Sequence, residues 1–478
     1  MLTLEKDAAD PAALRRDLRD LHVHMVGIGG AGMSGLAAFL LRRGARVSGS
    51  DMQTSLDVLR LAEAGARIAV AESAAAVPPD AEYLVHSAAV PDDHPEVDEA
   101  RRRGIPVLKY AQMLGALMSY CDGIAISGTH GKSTTTAWLT FVLRQAGLDP
   151  SFVVGASVAQ LGGGSGAGGG PHFVAEACEY DRSFLNLRPR RAAILNVEED
   201  HLDYYANLAA IEQAFGEFAA RIPADGLLVT NAEDERCLRL ANGVGARAET
   251  FGFADHANWY AEQLELVTGC YAFTARHDGQ PLGRVTLAIP GIHNVANALA
   301  VMALAHDCGV AWDALRPALE DFHGARRRLE LRGEVDGVRV LDDYAHHPTE
   351  IQVTLRAARE RFNPRRLWCI FQPHQHSRTR FLLASFAESF SAADHVVVPD
   401  IYFVRDSARE REAVRAADLV TRMRARGVST DYIPAFDDIV TRVAASVAPG
   451  DIVITMGAGN IWKVADELLR RLRGNLPS

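Results

Sequence analysis

Ser127–Thr136 reads SGTHGKSTTT, and its Gly131-Lys132-Ser133 core is an arrangement that holds the phosphates of a nucleotide. Backbone N–H groups of Gly128, Thr129, His130 and Gly131 can wrap phosphate oxygens. The Lys132 ammonium can neutralise the β and γ groups, the Ser133 hydroxyl can ligate Mg²⁺, and Thr134 opens the helix whose positive end faces the anion. The loop is shorter than the standard form, because Gly128 stands three residues before Gly131 and Ile126 occupies the place five before. Lysine occurs only at Lys6, Lys109, Lys132 and Lys463, so chemistry that needs an ammonium group has few candidates. Phosphoryl transfer from ATP is the implied chemistry, and it asks a protein for alignment and charge neutralisation rather than covalent help.

A second glycine turn lies upstream. Gly27, Gly29, Gly30 and Gly32 spell G-x-G-G-x-G between a strand and a helix, and Asp51 follows 19 residues after Gly32. Such glycines let a backbone approach a pyrophosphate at a helix N-terminus, while the acid reaches a ribose hydroxyl. The pattern fits NAD or any other pyrophosphate-bearing nucleotide; a tight packing turn with no ligand is the plain alternative. A nicotinamide-dependent oxidoreductase would use this turn and leave Lys132 idle. A simple ATPase would use only the other. A chain with both reads as one that uses ATP on a substrate that itself carries a nucleotide.

The elements around these turns alternate between strand and helix. Strand signals fall at His22–Gly27, Arg46–Ser50, Ile68–Val70 and Tyr83–His86, with helices at Met33–Arg43 and Asp57–Ala64. A second series has strands at Gly123–Ser127, Phe173–Ala177, Ala192–Val197 and Leu227–Thr230, with a helix at Thr134–Gln145. A third has strands at Val338–Leu341, Leu367–Phe371, His395–Val398 and Asp451–Met456, with helices at Thr349–Arg361 and Ile461–Leu472. Alternation of this kind predicts doubly wound, mostly parallel sheets in three α/β domains. The expected domains are 1–122, 123–322 and 323–478. The glycine cluster Leu161–Gly170 opens no helix and is expected to be a flexible surface loop.

Composition narrows the partners. The 478 residues carry 48% apolar and 23% charged side chains and a net charge of −10, so bulk charge draws neither nucleic acid nor anionic lipid. No apolar run is long enough to span a bilayer, and Met1–Leu21 shows no secretory pattern. Cys121, Cys178, Cys237, Cys270, Cys308 and Cys369 are too dispersed for a zinc site or a disulfide framework, which suits reduced thiols in a cytoplasm.

Eight ordered blocks resemble the Mur ligases of bacterial cell-wall synthesis: GIGGAGMSGLA (27–37), GTHGKSTTT (128–136), NVEEDHLD (196–203), GIHNVANALA (291–300), FHGARRR (322–328), DDYAHHPTE (342–350), FQPHQHSRT (371–379) and GAGNIWK (457–463). The resemblance implies a Rossmann-like UDP-binding domain, a central ATPase-like domain with a phosphate loop, and a C-terminal Rossmann-like domain. It implies an ATP- and Mg²⁺-dependent ligase that joins L-alanine to the lactyl carboxylate of UDP-N-acetylmuramate through an acyl phosphate. A relative that attaches a recycled murein tripeptide is the alternative within the family; a non-catalytic UDP-sugar sensor is one outside it. A monomer or weak homodimer is expected.

By the same resemblance Glu176 and His201 join Ser133 as Mg²⁺ ligands. Asn294 and Asn297, i and i+3 on one helical face, hold the adenine end of ATP, and Asp343 its ribose. Among Arg326, Arg327 and Arg328, the alignment puts Arg327 on the γ-phosphate, where a guanidinium matches phosphate geometry. Gly29, Gly30, Gly32, Ser50, Asp51 and the segment Ser87–Val90 meet the UDP-sugar. Tyr344, His346, Arg378 and Arg380 surround the amino acid. Two departures stand out. Gln375 and His376 replace the Arg and Tyr of many members, removing one guanidinium from that end. No lysine lies between Lys132 and Lys463, so the central domain has no place for the carbamoylated lysine of several relatives.

Overall fold

His22–Val26, Arg46–Ser50 and Tyr83–His86 are short runs buried along nearly their whole length, as befits parallel strands covered on both faces. In the computed structural model, which describes residues 17–70, 73–87, 90–91, 93–404 and 406–474, they form the centre of a five-stranded parallel sheet. Its order is Arg67–Ala69, Arg46–Ser50, His22–Val26, Tyr83–His86 and Val107–Lys109. The glycine turn leaves the central strand and enters the helix Ala31–Arg42, at the crevice where an open sheet of this kind receives ligands. Lys6, Ala88 and Ala89 lie outside the described residues.

The chain divides into two compact units. One runs to Val197 and adds Glu212–Trp259 and Ala300–Leu319; the other holds Glu198–Ile211, Tyr260–Leu299 and the chain from Glu320. Besides the first sheet, the first unit contains the parallel strands Arg247–Gly252, Leu227–Asn231, Arg191–Ile194, Asp122–Ser127, His172–Glu176 and Ser151–Val158, in that spatial order. The phosphate-loop segment follows the strand Asp122–Ser127, and the helix Lys132–Gln145 begins directly after Gly131.

The glycine cluster departs from expectation. Gly163–Gly166 is an edge strand antiparallel to Ser151–Val158, not a flexible loop. Its glycines allow backbone contact that a side chain would block. A Cβ on Gly168 would come within 2.0 Å of Asp149 O, and one on Gly35 in the facing helix within 2.2 Å of the Ser165 Cβ.

In the second unit, Val338–Asp343 pairs antiparallel with Glu330–Val335 and parallel with Ile452–Met456, followed by Leu367–Phe371, His395–Val398 and Thr430–Tyr432. A three-strand ribbon that the sequence reading did not anticipate, Trp259–Val267, Cys270–His277 and Gln280–Thr286, precedes it, the last two strands antiparallel. Among the described residues no helix is long and apolar enough to cross a membrane. All six cysteines are free.

Candidate active site

The phosphate loop is built by two left-handed glycines, Gly128 at φ 138° and Gly131 at φ 82°, and clamped from the side by Asn196. Thr129 N donates to Asn196 O, His130 N donates to Asn196 Oδ1 at 2.7 Å, and Asn196 Nδ2 donates back to His130 O. Lys132 Nζ donates to Gly128 O at 2.6 Å and Thr129 O at 3.0 Å, and pairs with Glu179 at 3.0 Å. Burial works against its charge; Glu179, with Cys178 and Glu176, outweighs that and raises the pKa. Ser133 Oγ donates to Glu176 Oε1 at 3.1 Å, and Gly155 N donates to Glu176 Oε2 at 2.7 Å. A hydroxyl and a carboxylate side by side are hard oxygen donors of the kind Mg²⁺ takes.

Around the first turn, Asp51 Oδ2 accepts from Gly29 N at 2.8 Å and its Oδ1 accepts from Gln53 N at 2.9 Å, so this acid shapes the turn itself. Gly32 lies against Tyr110: a Cβ there would stand 2.9 Å from the ring. A Cβ on Gly27 would stand 3.4 Å from Ser87 Oγ. Ser50 is not where the resemblance put it. Its fully buried hydroxyl donates to Glu96 Oε2 at 3.0 Å, inside a polar cluster with His24, itself 2.7 Å from Glu96.

A cleft of about 1210 Å³ runs between the first sheet's helices and the strand ends of the second. His86, Lys109, Tyr110, Glu176, Cys178 and Tyr180 are among the residues that line it. Tyr110 therefore brings the Gly32 turn to this cleft, and Glu176 brings the Ser133 turn to it.

The second unit carries the remaining candidates. Asn297 Nδ2 donates to Asn294 Oδ1 at 3.0 Å, and Asn294 Nδ2 donates to Pro290 O, which ties the pair on one helical face. Arg327 differs from its expected role. It sits at φ 58°, and its guanidinium donates to Asp342 Oδ2 at 2.8 Å, Gly457 O at 2.7 Å and Gly459 O at 3.4 Å. These donors brace the Gly457 turn against the Asp342 strand. The charge that reaches Asp343 and His293 comes from the neighbour, Arg328. Asp343 is buried, with its oxygens accepting from Ala345 N and Leu329 N at 2.7 and 2.6 Å, so it holds the loop rather than facing outward.

Tyr344, His346 and Arg378 converge, joined by His374. The Tyr344 and His346 rings meet edge-on at 5.3 Å, His346 lies 6.2 Å from His374, and Arg378 Nη1 stands 3.4 Å from His374 Nδ1. Arg380 does not join them: its guanidinium faces outward and pairs with Glu410 at 3.0 Å. Arg378 Nε donates to Asp200 Oδ1 at 2.9 Å, both side chains being nearly inaccessible. His201 follows in a left-handed conformation, φ 54°, with its N–H donating to Asp200 Oδ1. Glu198 accepts from Thr349 Oγ1 at 2.6 Å and Glu199 O accepts from His347 Nε2 at 3.0 Å, so residues 198–201 are fastened to the N-terminal end of the helix Pro348–Phe362. Asn196, Glu179, His374 and Asp200 were not singled out from the sequence, although Asn196 and Asp200 lie inside the NVEEDHLD block.

Burial lowers the His293 and His346 imidazoles to about 4, from an ordinary 6.5. The unfolded chain binds their protons near pH 6.5 and the folded chain only near 4, so this stability is complete above 6.5 and lost as pH falls. Asp343 acts in reverse: burial raises it to about 6, so folding takes up its proton and stability rises as pH falls from 6 toward its ordinary 3.8. Two imidazoles outweigh one carboxyl. Melting temperature should decline between pH 6.5 and about 4.5, and His346→Gln should flatten that decline. Equal slopes in variant and parent would count against a neutral buried His346.

Comparison with known proteins agrees in order along the chain. Residues 22–120 match the Mur ligase family catalytic domain, 126–305 the Mur ligase middle domain, and 327–459 the Mur ligase glutamate ligase domain. The UDP-N-acetylmuramate–L-alanine ligase of Caldanaerobacter subterraneus is 41% identical over 449 residues, covering 94% of this chain and 97% of that protein. Among solved structures, the UDP-N-acetylmuramate-alanine ligase of Thermotoga maritima superposes with a TM-score of 0.77 at 28% identity, over 95% of this chain and all of that one. A murein peptide ligase from Psychrobacter arcticus gives 0.70 at 27% identity, over 96% of this chain and all of that one. Three domain models matched in sequence order, with relatives aligned nearly end to end, settle the affiliation: the chain belongs to the Mur ligase family.

Proposed function

We propose that the chain is an ATP-dependent ligase that joins L-alanine to the lactyl carboxylate of UDP-N-acetylmuramate in the cytoplasm, as a step of peptidoglycan precursor synthesis. The observation that carries this reading is the single cleft bordered by Tyr110, against the first glycine turn, and by Glu176, against the second. A UDP-sugar seated there would reach the neighbourhood of Ser133 with its carboxylate. The reading takes domains 1–122, 123–322 and 323–478 for sugar nucleotide, ATP and amino acid, in a monomer or weak homodimer with neither nucleic acid nor membrane as partner.

A carboxylate is a poor electrophile. Its oxygen attacks the γ-phosphorus and ADP leaves; the amino nitrogen then attacks the acyl phosphate carbonyl, phosphate departs and the nitrogen loses a proton. Ser133 and Glu176, with His201 as the further ligand, would hold Mg²⁺, which would withdraw charge from the phosphate oxygens. Lys132 and the loop N–H groups hold the phosphates in line, and Arg328 is the guanidinium assigned to the γ-phosphate in place of Arg327. Asn294 and Asn297 take the adenine end. Arg378 receives the amino-acid carboxylate, while neutral His346, whose Nδ1 lies 3.0 Å from Tyr344 O, presents Nε2 as an acceptor to the amino group.

Phosphate release across a panel of L-amino acids and the murein tripeptide tests the reading. The expected result is release that needs both UDP-N-acetylmuramate and L-alanine. One methyl group in a pocket discriminates by only about 1–3 kcal/mol, so glycine and L-serine should be accepted weakly. Preference for the tripeptide, or release without the sugar nucleotide, would overturn it.

A further inference from the structure

We infer that Glu179 is a positioning residue that couples the sugar-nucleotide cleft to the phosphate loop, holding Lys132 until a ligand in the cleft draws it away. The inference rests on the ligase reading above and adds a regulated step to it.

The first observation is the state of Lys132. Its three ammonium protons are directed to Gly128 O, Thr129 O and the Glu179 carboxylate, at 2.6, 3.0 and 3.1 Å. The Glu179 side chain is almost wholly buried, so this is an ion pair shielded from water, not a surface contact. A triphosphate on the loop would compete with Glu179 for the same ammonium group.

The second observation is where the neighbours of Glu179 face. Cys178, Tyr180, Asp181 and Ser183 all line the cleft, whereas Glu179 points to Lys132. The segment is a closed turn: Phe184 N donates to Cys178 O and Arg182 N donates to Glu179 O, each at 3.0 Å. Asp181 and Arg182 inside it hold φ values of 52° and 53°, a left-handed backbone that side chains disfavour. The two hydrogen bonds tie the Glu179 backbone to that of the residues lining the cleft. A ligand that presses on Cys178 and Tyr180 therefore moves Glu179 relative to Lys132, and freeing the ammonium favours phosphate binding. Linkage makes the effect mutual, so ATP must favour the sugar nucleotide by the same factor.

The test is calorimetric titration of the full chain with β,γ-methylene-ATP and Mg²⁺, with and without saturating UDP-N-acetylmuramate. In the wild type the sugar nucleotide should tighten the analogue by about fivefold or more, within the usual range for coupled sites. In Glu179→Gln the analogue alone should bind several-fold tighter, because its competitor has lost its charge, and the added effect of the sugar nucleotide should shrink toward unity. Glu179→Asp should restore part of the coupling, which a role confined to packing would not do. Equal factors in wild type and Glu179→Gln, or a wild-type factor near one, would overturn the coupling and leave the ligase reading intact. A wild type that binds the analogue but no UDP-N-acetylmuramate would overturn the ligase reading itself, and the coupling with it.

Discussion

Replacement of Lys132 by alanine should reduce turnover by ~10³-fold or more, in line with the loss of a transition-state charge in phosphoryl transfer, while the affinity for UDP-N-acetylmuramate weakens by no more than about threefold. The first half follows from scarcity. Of the other described lysines, Lys109 lines the cleft from the end of an edge strand of the first sheet, and Lys463 belongs to the second unit. Neither sits on the loop that would cradle the phosphates. Lys132→Arg should fare little better, since the ammonium group is received by two carbonyls and a carboxylate within 3.1 Å, a pocket for a compact charge and not for a planar fork. The second half follows from placement. Lys132 is not among the groups lining the cleft, which offers Tyr110, Lys109, His86 and the 178–183 turn to a sugar nucleotide. Turnover measured by phosphate release and affinity measured by calorimetry give the two numbers. Loss of sugar-nucleotide binding in Lys132→Ala would mean that the two ligands share one subsite.

Most of the buried parallel strands were legible because their sequences are short, largely apolar runs, as in YLVH, LWCIF and HVVV; RVSGS, with Val47 as its one large apolar residue, was legible from its place after a helix and Gly44. Arg46–Ser50, Tyr83–His86, Leu367–Phe371 and His395–Val398 fall where the residues put them. The ribbon Trp259–Thr286 escaped for the opposite reason: the stretch Glu262–Leu266 of its first strand is partly or fully exposed and mixes Glu and Gln among its apolar residues, so neither a continuous run nor a clean alternation announces it. Side-chain commitments were the least legible. Ser50 finds Glu96 46 residues away, Arg327 finds Gly457 130 residues away, and Arg380 finds Glu410 30 residues away. The family resemblance implied a ligand contact for each, and each is instead held by a partner that only the folded chain brings near. The two glycine turns were readable because their shape lies in backbone conformation, which local sequence dictates.

Asp200→Ala should cost about 3–5 kcal/mol of folding stability, the range for breaking a buried ion pair by removing one partner. Asp200 is 6% and Arg378 7% exposed, so the guanidinium left behind would have almost no water and would lose the carboxylate it donates to, keeping only the weaker influence of Asp203 and Glu350. The pKa directions agree: burial alone would raise the Asp200 carboxyl, yet Arg378 holds it well below the usual range, and Arg378 is raised in turn by Asp200. Asp200→Asn keeps an acceptor for Arg378 Nε and should lose less than the alanine variant. Because the carboxyl is depressed in the folded state, the pair stabilises the fold above the ordinary carboxylate pKa near 3.8 and loses that contribution as the pH falls below it; the variants should lack this acid-dependent loss. Function and stability can be separated by removing both charges. Asp200→Asn with Arg378→Met should recover most of the stability, since no unpaired charge remains, yet leave the amino-acid carboxylate without its guanidinium and raise the KM for L-alanine by on the order of tenfold or more. Urea unfolding of the single and double variants measures the first, and amino-acid saturation curves the second. If the double variant were as unstable as Asp200→Ala, the packing of the 198–201 segment and not the ion pair would be what holds this corner together; if its KM for L-alanine were unchanged, Arg378 would not be the group that receives the carboxylate.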